Sequence, residues 1–295
     1  MGMFDPFVRY GWNAAARLAR VGHATGHDIV TVRLAEIWTY PVKSLRGVRR
    51  ARADVQTCGL AGDRRWMLAD GNGRFFSQRD LPRMSQISAV YESGELVLSI
   101  EGAGALRVHA PPAGEKRRVT VWHDALQALD AGDAASDWLS AAVGLPCRLM
   151  YQDDPASRPL DPKYARPGDA VNLADAFPVL LTSAESLADL NRRLAHAVGM
   201  LRFRSNLIVE GAAPWAEDGW RRLRIGAVVF RVAKPCDRCI ITSIDPATGE
   251  RPDHEEPLRT LKTFRRDAKG RVLFGQNLVP EVVGELREGA EVEVE

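Results

Sequence analysis

Short runs of alternating apolar and polar residues lie toward both ends of the chain and predict β-strands. The run at residues 32–42 ends in a turn at Pro41, and the run at 65–69 ends in a hairpin turn at 70–73. Further strands are predicted closer to the C-terminal end, at residues 178–181, 207–209, 225–232, 240–243 and 291–294.

The middle of the chain mixes strand and helix patterns. Short strands are predicted at residues 96–100, 106–109 and 119–122. A helix is predicted at 133–143, because its apolar residues share one face and Gly144 and Pro146 follow as stop signals. A proline-rich loop spans 152–170. A capping box at 182–185 predicts a second helix, with Leu187, Leu190 and Leu194 on its apolar face.

These patterns predict an α+β fold in which a β-barrel is built from both ends of the chain. A small α/β subdomain at about residues 81–150 interrupts it, within a first region at 31–150 that precedes a second domain at 151–295. Residues 1–30 form an N-terminal extension, whose apolar residues at helical spacing predict a helix. This helix packs on the body of the protein or, alternatively, contacts a membrane surface or a partner.

Composition narrows the class of protein. Of the 295 residues, 45% are hydrophobic and 26% are charged, which is typical of a soluble globular chain. The net charge of +2 gives no reason to expect a nucleic-acid partner. No apolar run approaches the length of a transmembrane span. Four unevenly spaced cysteines favour a reducing compartment, and we therefore expect a cytoplasmic location.

Cys236 and Cys239 are the most reactive candidates, since their spacing suits a redox dithiol or half a zinc site. A zinc site would need further ligands, and His254 alone leaves the set incomplete. A redox dithiol needs a helix after the pair, whereas residues 240–244 resemble a strand. A single thiolate near Lys234 and Arg238, suited to a soft metal, is the remaining reactive alternative. The plainer alternative is that both cysteines are ordinary half-buried thiols.

Polar residues also occur at the ends of predicted strands. Arginine and lysine bind phosphate, and serine or asparagine completes the hydrogen bonding. The residues of this kind are Lys43, Ser44, Arg64, Arg204 and Asn206. Each alone is more often a solvated surface group, and their spacing does not show that they converge. Asp63, Asp237 and Asp245 are candidate acids or bases, although salt bridges are the commoner fate of such carboxylates.

Taken together, the motifs resemble those of the MOSC family with an N-terminal MOSC β-barrel region, and within it the amidoxime-reducing proteins of mitochondria and bacteria. The resemblance extends over about residues 32–295. The motifs that carry it are at residues 40–44, 62–66, 203–206, 235–239, 242–249 and 273–277.

The resemblance implies a molybdenum cofactor that contains a pyranopterin. Cys239 matches the cysteine that binds the molybdenum in this family. Lys43, Ser44 and Arg64 match residues that hold the pterin and phosphate, and Arg204 and Asn206 match a second group. The backbone at Asp237 and Arg238 corresponds to the segment that approaches the cofactor. Ala176 and Phe177 replace a Thr-Ser pair of the mitochondrial proteins, and Asn277 replaces a tyrosine.

The implied activity is reduction of small N-hydroxylated compounds. The chain lacks the ferredoxin domain that some bacterial relatives append, so a separate donor protein of ferredoxin or flavoprotein type would supply electrons. Asp237 or a metal-bound water would supply the proton. One alternative is a protein that carries the cofactor or sulfur on Cys239 without turnover. Another is a partner-binding scaffold that has lost the cofactor.

Overall fold

A computed structural model of the chain describes residues 31–102 and 104–295. The predicted helix at residues 1–30 lies outside the described residues. Within the described part, no helix is long and apolar enough to cross a bilayer.

Most elements of the described chain are short strands, with a few helices between them. The strands are β1 Arg33–Thr39, β2 Val48–Arg50, β3 Arg52–Gln56, β4 Gly59–Leu60, β5 Trp66–Ala69, β6 Ser88–Glu92, β7 Glu95–Ser99, β8 Ala105–Val108, β9 Lys116–Val121, β10 Asp124–Asp130, β11 Arg148–Tyr151, β12 Val179–Ser183, β13 Leu207–Glu210, β14 Arg222–Ile225, β15 Val228–Asp237, β16 Leu273–Val282, β17 Gly284–Arg287 and β18 Val292–Val294. The α-helices are α1 Asp133–Val143, α2 Ala184–Arg193 and α3 Leu258–Lys262. Short 3-10 turns include Met200–Phe203 and Ile240–Ser243.

The main sheet has the strand order β18-β14-β15-β16-β12-β13-β1-β2 across the described residues. Its ends meet, because Leu34 N donates to Ala290 O and Val292 N donates to Val32 O, both at 2.8 Å. These bonds join β1 to the start of β18 and close the sheet into a barrel. Its interior holds buried apolar side chains from both ends of the chain, including Leu34, Leu181 and Phe230. The predicted α+β fold with a barrel built from both ends is confirmed.

We call the part of the chain from β5 to β11 the inserted subdomain, and it pairs two small sheets with one helix. One sheet has the order β5-β11-β10-β9 and the other β6-β7-β8. Helix α1 buries Leu139 against this layer and ends at Gly144, whose φ of 81° lies in the left-handed region that glycine favours. The pattern at 133–143 therefore gave the correct limits of this helix. The predicted domain limits 31–150 and 151–295 stay a prediction.

Three local predictions were wrong. Residues 225–232 form a hairpin rather than one strand, because the chain turns at Gly226, at a φ of 59°, between β14 and β15. Helix α2 is capped by Ser183, one residue after the predicted Thr182, and the Ser183 hydroxyl accepts from Ser186 N. Residues 240–243 form a 3-10 turn instead of a strand.

The 3-10 turn at Ile240–Ser243 is stabilised by its own hydroxyl groups. Thr242 Oγ1 donates to Cys239 O at 3.0 Å, and Ser243 Oγ donates to Ile240 O at 2.7 Å. Such side-chain bonds offer the backbone an alternative to a strand ladder. The β-branched residues in this segment had predicted a strand. The turn sets the position of the thiol that precedes it.

Candidate functional site

A turn after β1 carries Lys43 and Ser44 into the interior. Lys43 N donates to Trp66 O at 2.7 Å, and Ser44 takes a φ of 68°. The Lys43 side chain is only 5% exposed, and its ammonium lies 2.5 Å from a carboxylate oxygen of Asp175. Burial lowers the pKa of Lys43 to about 8, although Asp175 opposes the shift.

Two guanidinium groups stack on one buried aromatic ring. The Cζ atoms of Arg64 and Arg204 lie 4.2 and 4.3 Å from the ring centre of Tyr40. Arg64 Nη1 donates to Asp63 at 2.6 Å and to Asn206 Oδ1 at 2.9 Å. Burial lowers the pKa of Arg204 to about 10 and raises that of Asp63, although Arg64 opposes the Asp63 shift. The ring and the Asp63 carboxylate together allow two like charges to lie close.

Asn206 joins this cluster to three strands. Its Oδ1 also accepts from Leu180 N at 3.2 Å in β12, and its Nδ2 donates to Trp38 O at 3.1 Å in β1. Asn206 itself lies just before β13 and is 1% exposed. We call this buried group the floor of the site. It consists of Tyr40, Lys43, Ser44, Asp63, Arg64, Arg204 and Asn206.

Two buried donor atoms beside the floor have no hydrogen-bond partner among the described residues. They are Arg204 Nη2 and Arg238 Nε. Arg238 otherwise donates from Nη2 to Phe203 O at 2.6 Å and from Nη1 to Cys236 Sγ at 3.0 Å. Buried polar atoms are nearly always paired, and guanidinium groups pair best with phosphate or carboxylate. The floor thus fits the anionic part of a ligand.

Cys239 lies at the start of the turn Ile240–Ser243 and is partly exposed. Arg79 Nη2 donates to its Sγ at 3.4 Å, from a position 160 residues earlier in the inserted subdomain. The sequence had suggested Lys234 and Arg238 as its positive neighbours. Instead Lys234 pairs with Asp237 and Arg238 bonds Cys236. Arg79 is therefore the cation in contact with Cys239.

Asp175 links the thiol side of the site to Lys43. Besides that lysine, its carboxylate lies 3.5 Å from Arg79 Nη2 and accepts from Trp122 Nε1 at 3.3 Å. Surrounding protein raises the pKa of Asp175, but the Lys43 and Arg79 charges outweigh this and hold it well below its ordinary value. The side chain is 55% exposed, so solvent weakens these effects. We call Arg79, Trp122, Asp175 and Cys239 the rim.

Sequence reasoning missed Arg79, Trp122 and Asp175. Asp175 directly precedes the Ala176–Phe177 departure from the family pattern, and that departure was the one signal near it. Phe177 is 7% exposed and packs edge-on against Tyr164 at 5.6 Å, so its ring belongs to an apolar cluster and donates no hydrogen bond. Asn277, the other departure, donates weakly to Pro235 O at 3.4 Å.

Asp237 points its carboxylate to Lys234, at 2.9 Å. Burial raises the pKa of Asp237, but the hydrogen bond and charge of Lys234 outweigh it and lower the value overall. A carboxylate held ionised is a weak proton donor, and the proposed acid role of Asp237 stays a prediction.

Over residues 31–102 and 104–295, no group of three His, Cys, Asp or Glu side chains is arranged to hold a metal ion. A metal at Cys239 would therefore take its other ligands from a cofactor.

Comparison with known proteins assigns the chain to a family. The model of the MOSC N-terminal beta barrel domain matches residues 31–146, and that of the MOSC domain matches residues 168–293. Mitochondrial amidoxime-reducing component 1 of Homo sapiens is 34% identical over 256 residues, covering 83% of this chain and 75% of its own length.

Two further matches carry less weight. Molybdenum cofactor sulfurase of Solanum lycopersicum is 31% identical over 273 residues, and the match spans 82% of this chain but 32% of that protein. A crystal structure of the YUAD protein from Bacillus subtilis covers 90% of this chain and 95% of its own, at 11% identity and a TM-score of 0.42. A TM-score that low supports no inference about function. From the two domain matches and the identity to the amidoxime-reducing component, the chain belongs to the MOSC family.

Proposed function

We propose that this protein binds a molybdenum cofactor and reduces small N-hydroxylated compounds to the corresponding N–H compounds and water. The reduction takes up two electrons and two protons. The electrons come from a separate donor protein of ferredoxin or flavoprotein type. The proposal includes a cytoplasmic location. It rests on membership of the MOSC family and on similarity to the amidoxime-reducing component.

One observation carries the proposal: the Cys239 thiol and the buried cations of the floor are linked through Arg79, Asp175 and Lys43. Arg79 contacts the thiol at 3.4 Å and Asp175 at 3.5 Å, and Asp175 contacts Lys43 at 2.5 Å. A ligand with a soft metal at one end and a phosphate at the other would match these two ends.

When bound, the cofactor supplies the two-electron chemistry that removes oxygen from N–OH. The residues of this chain bind and orient. Cys239 would hold the metal, while Lys43, Arg64 and Arg204 would offset the phosphate charge and donate hydrogen bonds to the pterin. The unpaired Nη2 of Arg204 and Nε of Arg238 would gain acceptors.

Elemental analysis of the purified wild type and two cysteine variants tests the proposal. We expect about one molybdenum per chain in the wild type, almost none in Cys239→Ala and nearly the full amount in the Cys236→Ala control. Cys236 already accepts from Arg238 and is not needed for the metal. Equal loss in both variants would instead indicate a dithiol site.

The second measurement is oxidation of a reduced viologen by benzamidoxime. We expect turnover in the wild type and none in Cys239→Ala. Absence of molybdenum after expression in cells that make the cofactor would overturn the whole proposal.

A protein that holds the cofactor or sulfur without turnover is the second candidate, favoured by the similarity to molybdenum cofactor sulfurase. Stoichiometric molybdenum without viologen oxidation on any N–OH compound would select it and would rule out the reductase.

A further inference from the structure

A cavity of about 440 Å³ opens in the inserted subdomain, beside the rim. Its walls include Phe75, Arg79, Thr120 and Trp122. The size lies in the range of small-molecule sites. Because Arg79 also contacts Cys239 Sγ at 3.4 Å, one side chain separates the cavity from the thiol. A molecule with its reacting group at Cys239 would extend into this cavity.

Trp122 occupies an unusual backbone position in the wall. It is the first residue of the two-residue turn between β9 and β10, where Val121 pairs with Asp124. Its φ is 58°, and the first position of such a turn normally takes glycine. A bulky aromatic residue there is strained, and strain of this kind is concentrated at functional sites. Trp122 is also 45% exposed, so burial of its indole does not explain its presence.

The indole is nevertheless held in place. Phe75 lies edge-on to it at 5.3 Å, the Arg79 guanidinium lies 4.6 Å from its centre, and its Nε1 donates to Asp175 at 3.3 Å. A fixed, partly exposed aromatic ring is suited to stack with a planar ligand.

Charge in the cavity favours a ligand with an acidic group. The exposed Arg74 also lines the cavity, and no carboxylate in the described part of the chain pairs with its guanidinium. Asp80 lies in the same wall and accepts from Ser77 Oγ at 3.0 Å, so one carboxylate stands against two arginines in the lining. Arg74 is therefore the group that would pair with an anion.

We infer that this cavity is the substrate pocket, and that it selects planar aromatic N-hydroxylated compounds with an acidic substituent. The ring stacks on Trp122, the acidic group pairs with Arg74, and the N–OH group lies beside Arg79, next to the cofactor that Cys239 would hold. This inference rests on the proposed function and specifies its substrate class.

Three amidoximes with the same reacting group test the inference in the viologen assay. Acetamidoxime has no ring, benzamidoxime adds the ring, and 4-carboxybenzamidoxime adds the acid. We expect KM to fall about tenfold with the ring and a further several-fold with the acid. Equal KM values for all three would overturn the inference and leave the proposed reductase intact.

Trp122→Gly removes the ring and places the favoured residue in the turn, so the fold should not suffer. We expect its KM for 4-carboxybenzamidoxime to rise at least tenfold with little change in kcat. Ser93→Gly is the matched control, since Ser93 opens another two-residue turn with a φ of 51° and does not line the cavity. Trp122→Phe, which keeps a ring, should stay within about threefold of wild type. An unchanged KM in Trp122→Gly would contradict the role of Trp122.

Arg74→Gln should erase the advantage of the acidic compound over benzamidoxime, while Arg52→Gln, an exposed arginine on β3, should preserve it. If Arg74→Gln preserves it too, the acidic selectivity is wrong.

Calorimetric titration of 4-carboxybenzamidoxime into the oxidised protein, without reductant, separates the two proposals. Binding that Trp122→Gly weakens at least tenfold supports the pocket even if nothing is reduced, in which case only the reductase fails. If the viologen assay shows turnover but Trp122→Gly leaves the binding affinity unchanged, the proposed pocket is wrong and the proposed reductase stands.

Discussion

The floor and the rim of the site both carry positive charge, yet they are constrained to very different degrees. In the floor, Asp63 and Asn206 are each 1% exposed and bond Arg64 from two sides. In the rim, the side chains of Arg79 and Asp175 are 22% and 55% exposed, and their contact is 3.5 Å long. The floor belongs to the barrel, whereas Arg79 and Trp122 come from the inserted subdomain.

The difference indicates a division of roles. Buried charges tolerate little change, because removal of one partner leaves the other uncompensated in a poorly solvated place. Exposed ion pairs contribute little to stability and can be exchanged at low cost. Under the proposed function, the floor would hold the cofactor and the rim would face the substrate. Three predictions test this contrast.

Asp63→Asn should have the largest effect. The amide still accepts from Tyr40 N, but it leaves Arg64 and Arg204 without their buried counter-charge. We expect the free energy of unfolding to fall by about 3 kcal/mol, measured by urea denaturation at pH 7. Asp54→Asn, at an exposed carboxylate on β3, is the control and should change it by less than about 0.5 kcal/mol. A loss in Asp63→Asn as small as the control's would show that charge does not constrain the floor.

The second prediction concerns pH and Lys43. Its pKa is about 8 in the folded protein and 10.5 as the ordinary value, so the unfolded chain binds more protons between these limits. Stability should therefore rise with pH across this window, by about 1 kcal/mol from pH 8 to pH 9. Urea denaturation of the wild type and of Lys43→Met isolates the effect as a difference. Parallel stability curves for the two proteins over pH 8 to 10 would contradict it.

Arg79→Gln should have the smallest effect on stability. Its contacts to Asp175 and to the Cys239 thiol are long and reached by solvent. We expect the free energy of unfolding to change by about 0.5 kcal/mol or less in the same urea experiment. If the change matched that of Asp63→Asn, floor and rim would not differ in the way described.

Local patterns were sufficient to predict much of the fold. Helix α1 has the predicted limits, because its apolar face and Gly144 act over only a few residues. The alternation at Val292–Val294 likewise predicted a strand that is present. The barrel could be predicted because strands prevailed at both ends of the chain. The pattern of apolar residues does not specify the order of the strands in the sheet.

The site was less predictable, for a physical reason. Lys43, Arg64, Arg204 and Asn206 were selected from strand ends and motifs, and the structure brings Arg64, Arg204 and Asn206 into contact. Arg79 could not be selected, since its contact with Cys239 joins two subdomains across 160 positions. The 3-10 turn after Cys239 depends on hydroxyl bonds that compete with a strand, and apolar periodicity carries no information about them.

Closure of the barrel has a consequence for how the protein is made. The start of β1 forms hydrogen bonds with Ala290 and Val292. These two residues are synthesised more than 250 positions after β1. The ring cannot form while translation is still in progress on the middle of the chain, and such distant pairing slows folding. We therefore expect the inserted subdomain to fold first around its own core, and the barrel to close afterwards. Loading of any ligand at the floor would then be a late event in biogenesis, open to a chaperone or a cofactor-delivery protein.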